Sequence, residues 1–243
     1  MLIISERLKT IADYVKEGSI VADIGSDHAF LPTFLVQTGK VVRAIAGEVN
    51  EGPWKSAQNQ VKAAGLSDKI DVRLGNGLAV LQDHDQVDTI CIAGMGGTLI
   101  SSILEEGKQS LQDVGHLILQ PNVAEKNVRE WLYHNGWELK DETILEEDGI
   151  IYEILYAECG QPNSPYQQGL WTLEQWFEIG PFLWKQGSEV LREKWMNEKQ
   201  KATHVLRNLE RAKSEEAVTK REEINKRIKW IEEVIRCMPT GKP

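Results

Sequence analysis

The sequence predicts an α/β fold: a Rossmann-like sheet, mostly parallel with one antiparallel edge hairpin, followed by a helical, coiled-coil-like C-terminal domain. Three observations predict it. Apolar runs of strand length alternate with helical stretches between residues 5 and 135, the pattern of right-handed crossovers in a parallel sheet. Residues 137–158 read as two alternating strands around Asp148-Gly149, a hairpin dipeptide. Beyond residue 169 only helical periodicity remains.

The elements follow in order. Ser5 is a plausible N-cap for a first helix over 5–16, with Leu8, Ile11, Ala12 and Val15 on one face. Strands are expected at 19–25, 40–49, 69–77, 86–97 and 116–122, with helices at 53–64, 98–111 and about 124–135. Residues 159–169 (CGQPNSPYQQG) concentrate turn formers and read as a linker, which divides the chain into domains 1–162 and 163–243. In the second domain Leu191, Trp195, Ala202, Val205, Leu209 and Ala212 form one apolar stripe, interrupted at Glu198. Ile224, Ile228, Ile231 and Ile235 form another, so two long helices paired antiparallel are expected, with a turn or exposed helical segment over 213–218. Trp171, Trp176, Trp184 and Trp195 read as packing rather than as base-stacking platforms.

Composition narrows the function classes. With 41% apolar and 27% charged residues, the 243-residue chain is ordinary globular protein, neither disordered nor fibrous. Cys91, Cys159 and Cys237 stand far apart, which argues against a structural zinc site or disulfide framework and for a reducing cytoplasm. No apolar run reaches membrane-spanning length, and the N-terminus lacks a secretory pattern. A monomer is expected, with the oligomeric state left open. Charge is split: residues 1–165 hold 13 Lys+Arg against 25 Asp+Glu, whereas 166–243 hold 15 against 12. An acidic body with a basic tail is the expected layout of a protein whose tail touches nucleic acid, although a solvated helical surface gives a similar count.

In a parallel sheet, ligands bind outside the carboxyl ends of the strands. The expected strands end in Asp23-Ile24-Gly25-Ser26-Asp27-His28, Gly47-Glu48-Val49-Asn50, Gly75-Asn76-Gly77, Ala93-Gly94-Met95-Gly96-Gly97 and Gln120-Pro121-Asn122. The first turn has a single glycine and an acidic neighbour, poorly suited to a pyrophosphate, which needs several bare N–H groups and no carboxylate. It suits S-adenosylmethionine, which carries an ammonium and a sulfonium and no phosphate. Glu48 can accept from both ribose hydroxyls, Asn76-Gly77 can meet the adenine edge, and the glycines at 94–97 let backbone approach closely. The cofactor-binding candidates are Asp23, Gly25, Ser26, Glu48, Val49, Asn76, Gly77, Ala93, Gly94, Met95 and Gly96.

The set ADIGSDHAFLP (22–32), IAGEVNEGP (45–53), GNGL (75–78), IAGMGG (92–97), LILQPN (117–122), REWL (129–132) and ILEEDG (144–149) resembles the bacterial TrmK family over the whole chain. The resemblance implies a class I methyltransferase fold and methylation of N1 of adenine 22 in tRNA with S-adenosylmethionine. Phe30 stands where tyrosine is expected and Asn76 where aspartate is usual. For that reaction the candidates to act on the target base are Asp27, His28 and Asn122, with Gln120 and the Gly94–Met95 backbone nearby. Two other readings compete: a class I methyltransferase acting on another substrate, and a non-catalytic adenine-nucleotide-binding regulator that uses its helical arm for partners.

Overall fold

The computed structural model describes residues 1–167, 169–209 and 214–239. Helix α1 (Glu6–Tyr14) starts at Ser5, whose hydroxyl accepts from the Leu8 N–H at 3.2 Å. Then come β1 (Ser19–Ile24), α2 (Phe30–Gln37), β2 (Val41–Glu48), α3 (Glu51–Ala63), β3 (Ile70–Leu74), β4 (Thr89–Gly96), α4 (Gly97–Glu106), β5 (His116–Val123), α5 (Glu125–His134), β6 (Trp137–Glu147) and β7 (Ile150–Cys159). The sheet order is β3-β2-β1-β4-β5-β7-β6. The first five strands in that order pair in parallel, and β7 adds antiparallel to β5 and β6. Strand order reverses between β1 and β4, which places a crevice at their carboxyl ends. Asp148 and Gly149 both adopt positive φ, as the expected tight hairpin requires.

Two features escaped the sequence pattern. Helix α2 (FLPTFLVQ) carries no amphipathic stripe because Leu31, Pro32, Thr33, Leu35 and Val36 are all buried. Its proline lies in the first turn, where the N–H has no helical partner anyway. In addition, β3 ends at Leu74, and the region beyond it, expected to stay extended to residue 77, turns into a short 3₁₀ segment, Gly77–Val80. The central strands read as continuous apolar runs because both faces are covered: Val21, Ala22, Ala44, Ala46, Ile90 and Ile92 are buried.

Within residues 1–178, a buried ion cluster joins α5 to the edge hairpin. The Arg129 guanidinium donates to Glu142 (2.6 Å), to Glu153 (2.6 Å) and to the Phe177 carbonyl (3.0 Å). Burial alone would lower the Arg129 pKa, but the two carboxylates outweigh it and hold the group firmly protonated. The chain divides into two compact units at 178/179, later than the expected boundary at 162/163. The reason is visible in contacts of the intervening segment. Phe177 accepts from Arg129 through its carbonyl and packs edge-on against Tyr133 and Tyr166, Glu174 pairs with Lys126 at 2.8 Å, and Trp171 and Trp176 are buried.

The second unit, residues 179–243, contains α7 (Pro181–Gln186), α8 (Glu189–Leu209) and α9 (Glu215–Cys237); α6 (Leu173–Ile179) crosses the boundary. Arg192 donates to the Ile235 carbonyl (3.2 Å), Lys199 pairs with Glu232 (2.8 Å), and Trp195 meets Trp230 edge-on. Arg192, near the start of α8, thus meets Ile235, near the end of α9, so the two run antiparallel. The stripe differs from expectation at one position. Val205 is 46% exposed and its neighbour Leu206 is half-buried, while Glu198 pairs with the exposed Lys201. On α9 the buried face is Ala217, Ile231, Val234 and Met238, with Ile224, Ile228 and Ile235 half-buried. Ser214 caps α9 by accepting from the Ala217 N–H, so of the two expectations for 213–218 the helical segment is the one found from Glu215 onward. Ala212 and Lys213 lie outside the described residues. Trp184 and Trp195 are buried, which leaves neither ring free as a stacking platform.

Removing Arg129 leaves two buried carboxylates without their cation. Arg129→Met is expected to destabilise the protein by about 3–5 kcal/mol, read as a lower urea midpoint. An unchanged midpoint would show that the cluster is not what fastens residues 173–178 to α5.

Candidate active site

The carboxyl ends of β1 and β2 each deliver a buried carboxylate. Asp23 sits in β1 opposite Ala46 and Cys91, 6% exposed, and accepts from the Ser26 hydroxyl at 2.5 Å. Burial pushes its pKa up to about 6; the Ser26 hydrogen bond and the Arg7 charge pull it down, and Glu48 adds to the rise. Ionising this carboxyl therefore costs the unliganded protein something. Its contribution to stability is full below the ordinary aspartate range and is lost as pH rises through about 6. Glu48, 7% exposed, accepts through Oε1 from the Val49 N–H (2.9 Å), the Asn50 N–H (2.9 Å) and the Asn50 amide (3.3 Å). Among the described residues its Oε2 has no hydrogen-bond donor, which leaves a fixed acceptor aimed by three bonds to the other oxygen.

The turn after β1 is pinned to β2: the Gly25 and Ser26 N–H groups both donate to the Gly47 carbonyl, at 2.8 and 3.0 Å. Gly25 has φ +75°, and a Cβ there would run into the Met95 side chain. The Gly75 N–H donates to the Glu48 carbonyl (2.8 Å), which brings Asn76 and Gly77 to the same edge. Asn76 is exposed, and Gly77 (φ +52°) packs near Ile103 of α4.

The loop ending β4 is clamped by side chains of β5. Gln120 Oε1 accepts from the Gly94 N–H (3.1 Å) and from Arg7 (2.6 Å); the Gln120 amide donates to Asn122 Oδ1 (3.0 Å), and the Asn122 amide donates to the Gly94 carbonyl (2.9 Å). Both peptide groups of Gly94 are thus held by this pair, and Gly94 takes φ +77°. Asn122 has its amide engaged on both sides, so it acts as a clamp on the loop. Gly97 opens α4 directly against the Ala124 carbonyl, with no room for a Cβ.

Three non-glycine residues near this edge adopt positive φ: Asp27 (40°), Ala29 (54°) and Ala124 (59°). Such conformations cost about 1–3 kcal/mol each and cluster at functional sites. Asp27 and His28 are exposed; their side chains lie 3.6 Å apart, and the His28 ring stacks on Phe30 at 5.2 Å. Strand ends therefore gather Asp23, Gly25, Ser26, Glu48, Val49, Asn76, Gly77, Ala93, Gly94, Met95, Gly96 and Asn122, with Asp27 and His28 on the adjoining turn. Sequence reading missed Arg7. It occupies a polar position on an amphipathic helix, and only the tertiary contact to Gln120 brings it to this edge.

A family model described as tRNA (adenine(22)-N(1))-methyltransferase, TrmK, matches residues 21–233. The chain belongs to the TrmK family. The tRNA (adenine(22)-N(1))-methyltransferase of Bacillus subtilis strain 168 is 44% identical to it over 233 residues, 96% of this chain and 97% of that protein. The crystal structure of the B. subtilis m1A22 tRNA methyltransferase TrmK superposes with a TM-score of 0.89 at 43% identity, covering 97% of this chain and 100% of that one. Streptococcus pneumoniae Sp1610, solved in complex with S-adenosyl-L-methionine, superposes at 0.85 with 44% identity, covering 96% and 100%. Among the described residues of this TrmK-family chain, no helix is long and apolar enough to cross a membrane.

Gly97→Ala tests the packing under the loop. The new methyl would meet backbone, which yields less readily than a side chain, so a loss of about 1–3 kcal/mol is expected, read as a lower melting temperature. A melting temperature equal to wild type would show that α4 and the Ala124 peptide move apart freely.

Proposed function

We propose that this chain transfers a methyl group from S-adenosylmethionine to N1 of adenine 22 in tRNA, acting as a cytoplasmic monomer. The observation that carries the reading is the pair of buried carboxylates at the ends of β1 and β2, set beside glycine loops. This charge pattern fits a cationic ligand. Asp23 would hold the ammonium, the free Oε2 of Glu48 the ribose hydroxyls, Asn76-Gly77 the adenine edge, and Ala93–Gly96 would line the pocket with backbone.

When bound, S-adenosylmethionine supplies a methyl already activated by a sulfonium, so the protein's share of the work is largely positioning. Adenine N1 is engaged when the base is paired, so the base must be presented unpaired or flipped. Methylation leaves a positive charge on the ring, which a carbonyl or carboxylate near N6 stabilises. Asp27 is the proposed group, since it lies exposed on the turn beyond β1, with His28 beside it; Asn122 would contribute by fixing the Gly94 carbonyl.

The substrate is a polyanion, and the first unit, with 13 basic against 27 acidic residues, repels it. The second unit holds 15 basic against 10 acidic residues and is proposed to supply phosphate contacts. Lys199, Lys201 and Lys220 are in ion pairs with Glu232, Glu198 and Glu223, exposed enough to exchange cheaply for phosphate. Arg207 lies with Lys199 and His204 along one groove of α8. Arg221 and Arg192 are further donors; Arg211 and Lys213 lie outside the described residues.

With unmodified tRNA and methyl-labelled cofactor, nucleoside mapping should place the label in N1-methyladenosine at position 22. Label in another nucleoside, or none, would overturn the reading. Glu48→Ala is expected to weaken cofactor binding about tenfold or more, since two hydrogen bonds to a charged acceptor are lost; equal affinity in the folded variant would remove Glu48 from the pocket. A chain ending at Glu178 keeps Phe177 and Trp176 in place and should still bind cofactor, yet bind tRNA weakly and with a shallower salt dependence. Full methylation by that shortened chain would show that the second unit is not the RNA-binding element.

A further inference from the structure

Charge is unevenly spread along the two long helices of the second unit. The first part of α8 carries Glu189, Glu193 and Glu198, and α9 interleaves acids with bases, as solvated helical surfaces do. Residues 199–209 break that pattern: they hold Lys199, Lys201 and Arg207 and no acidic residue. Lys201 turns back to Glu198 at 2.8 Å. Lys199 and Arg207 instead line an open groove of about 520 Å³ with Met196, Gln200, Thr203 and His204, and none of these is acidic. Arg207 makes no ion pair among the described residues. Lys199 holds an exposed pair with Glu232 (2.8 Å), which exchanges for a phosphate at little cost.

The lining positions recur at three- and four-residue steps, so they share one side of the helix. Lys199 and Arg207 are two turns apart, about 12 Å along the axis. One phosphate cannot meet both cations, so a strand that engages the two lays its sugars between them. The groups on that stretch are polar rather than cationic. Gln200 and His204 are exposed, and an amide and a neutral imidazole each offer a donor and an acceptor. The Thr203 hydroxyl donates to the Lys199 carbonyl at 2.8 Å and keeps its acceptor lone pairs. Met196, 44% exposed, adds an apolar patch at one end. A surface built for charge alone would repeat cations here. Paired donors and acceptors between two cations match the ribose 2′-hydroxyl, itself a donor and an acceptor and the group that separates RNA from DNA.

We infer that the α8 groove reads ribose: Lys199 and Arg207 hold phosphates of one RNA strand, and Gln200 and His204 bond the 2′-hydroxyls between them. This rests on the reading of the second unit as the RNA-contacting part, and it adds the face used and the chemical group recognised. Every nucleotide of RNA carries the same hydroxyl. The groove therefore sorts RNA from DNA and leaves the choice of base to other contacts.

Filter binding with the intact protein tests this, using two copies of one tRNA sequence. One is an unmodified transcript. The other carries 2′-O-methyl ribose throughout, which keeps the phosphate charge and A-form helices but removes the hydroxyl donor. Wild type should bind the transcript about tenfold more tightly. The double variant Gln200→Ala, His204→Ala should lose about that factor for the transcript and little for the methylated copy, with an unchanged salt slope. The double variant Lys199→Gln, Arg207→Gln should weaken both copies alike and lower the slope by roughly one to two units. These positions are exposed or half-buried on a helix, where such changes leave the fold intact. Equal binding of both copies by wild type would overturn the inference, as would equal loss for both copies in the Gln200, His204 variant. Wild-type binding by both variants would place RNA on another surface and end the inference, while the RNA-contacting role of the unit stood. Failure of wild type to bind either copy would remove that role, and the inference with it.

Discussion

The burial of one carboxylate, Asp23, governs how this molecule is built around its site. A carboxylate withdrawn from water at the end of β1 holds its proton up to about pH 6 even after local compensation. The compensation is local: the Ser26 hydroxyl at 2.5 Å and the charge of Arg7. Ser26 can reach back only because the chain turns sharply at Gly25, whose N–H, like that of Ser26, is bonded to Gly47. Arg7 can contribute only because the start of α1 is fastened to Glu147 and because Gln120 receives its N–H. The turn after β1, the placement of the first helix and the polar residues of β5 are thus linked through one poorly solvated charge.

The same linkage fastens the β4 loop to β5. Gly94 has both peptide groups bonded to Gln120 and Asn122, and β4 shifts register against β5 around Pro121, a residue that cannot donate to the ladder. Gly97 seats α4 against the left-handed Ala124. Backbone strain near the site is therefore offset by packing between the ends of β4 and β5, and the fold and the pocket share their stabilising contacts.

Much of this was legible in the sequence. The βα alternation, the Asp148-Gly149 hairpin and the order of strand ends identified the edge on which the candidates gather, because parallel-sheet topology dictates where loops converge. Asp23 and Glu48 were readable as acids at strand ends. What was not legible depended on burial or on distant contacts. Helix α2 has no periodic pattern because both its faces are covered. Val205 and Leu206 are adjacent and both apolar, so spacing could not say which is the more buried. The two compact units divide at 178/179, beyond the polar, proline-containing stretch, because Arg129 binds the chain as far as Phe177. Arg7 and the Arg129 cluster had no local signature at all; each is a pairing across more than a dozen residues of sequence.

The electrostatics also divide the labour between the two units. The first unit is acidic and the second carries the net positive charge, the division that the proposed reading needs: an acidic pocket for a cationic ligand and basic residues for RNA. The most direct test of the central claim is the affinity of the intact protein for S-adenosylmethionine between about pH 5 and about pH 7. If the ammonium is held by an ionised Asp23, affinity should be nearly constant above about pH 6 and fall roughly tenfold per unit below it. Asp23→Asn should bind weakly and without that dependence. An affinity that is flat across the range in the wild-type protein would contradict the account.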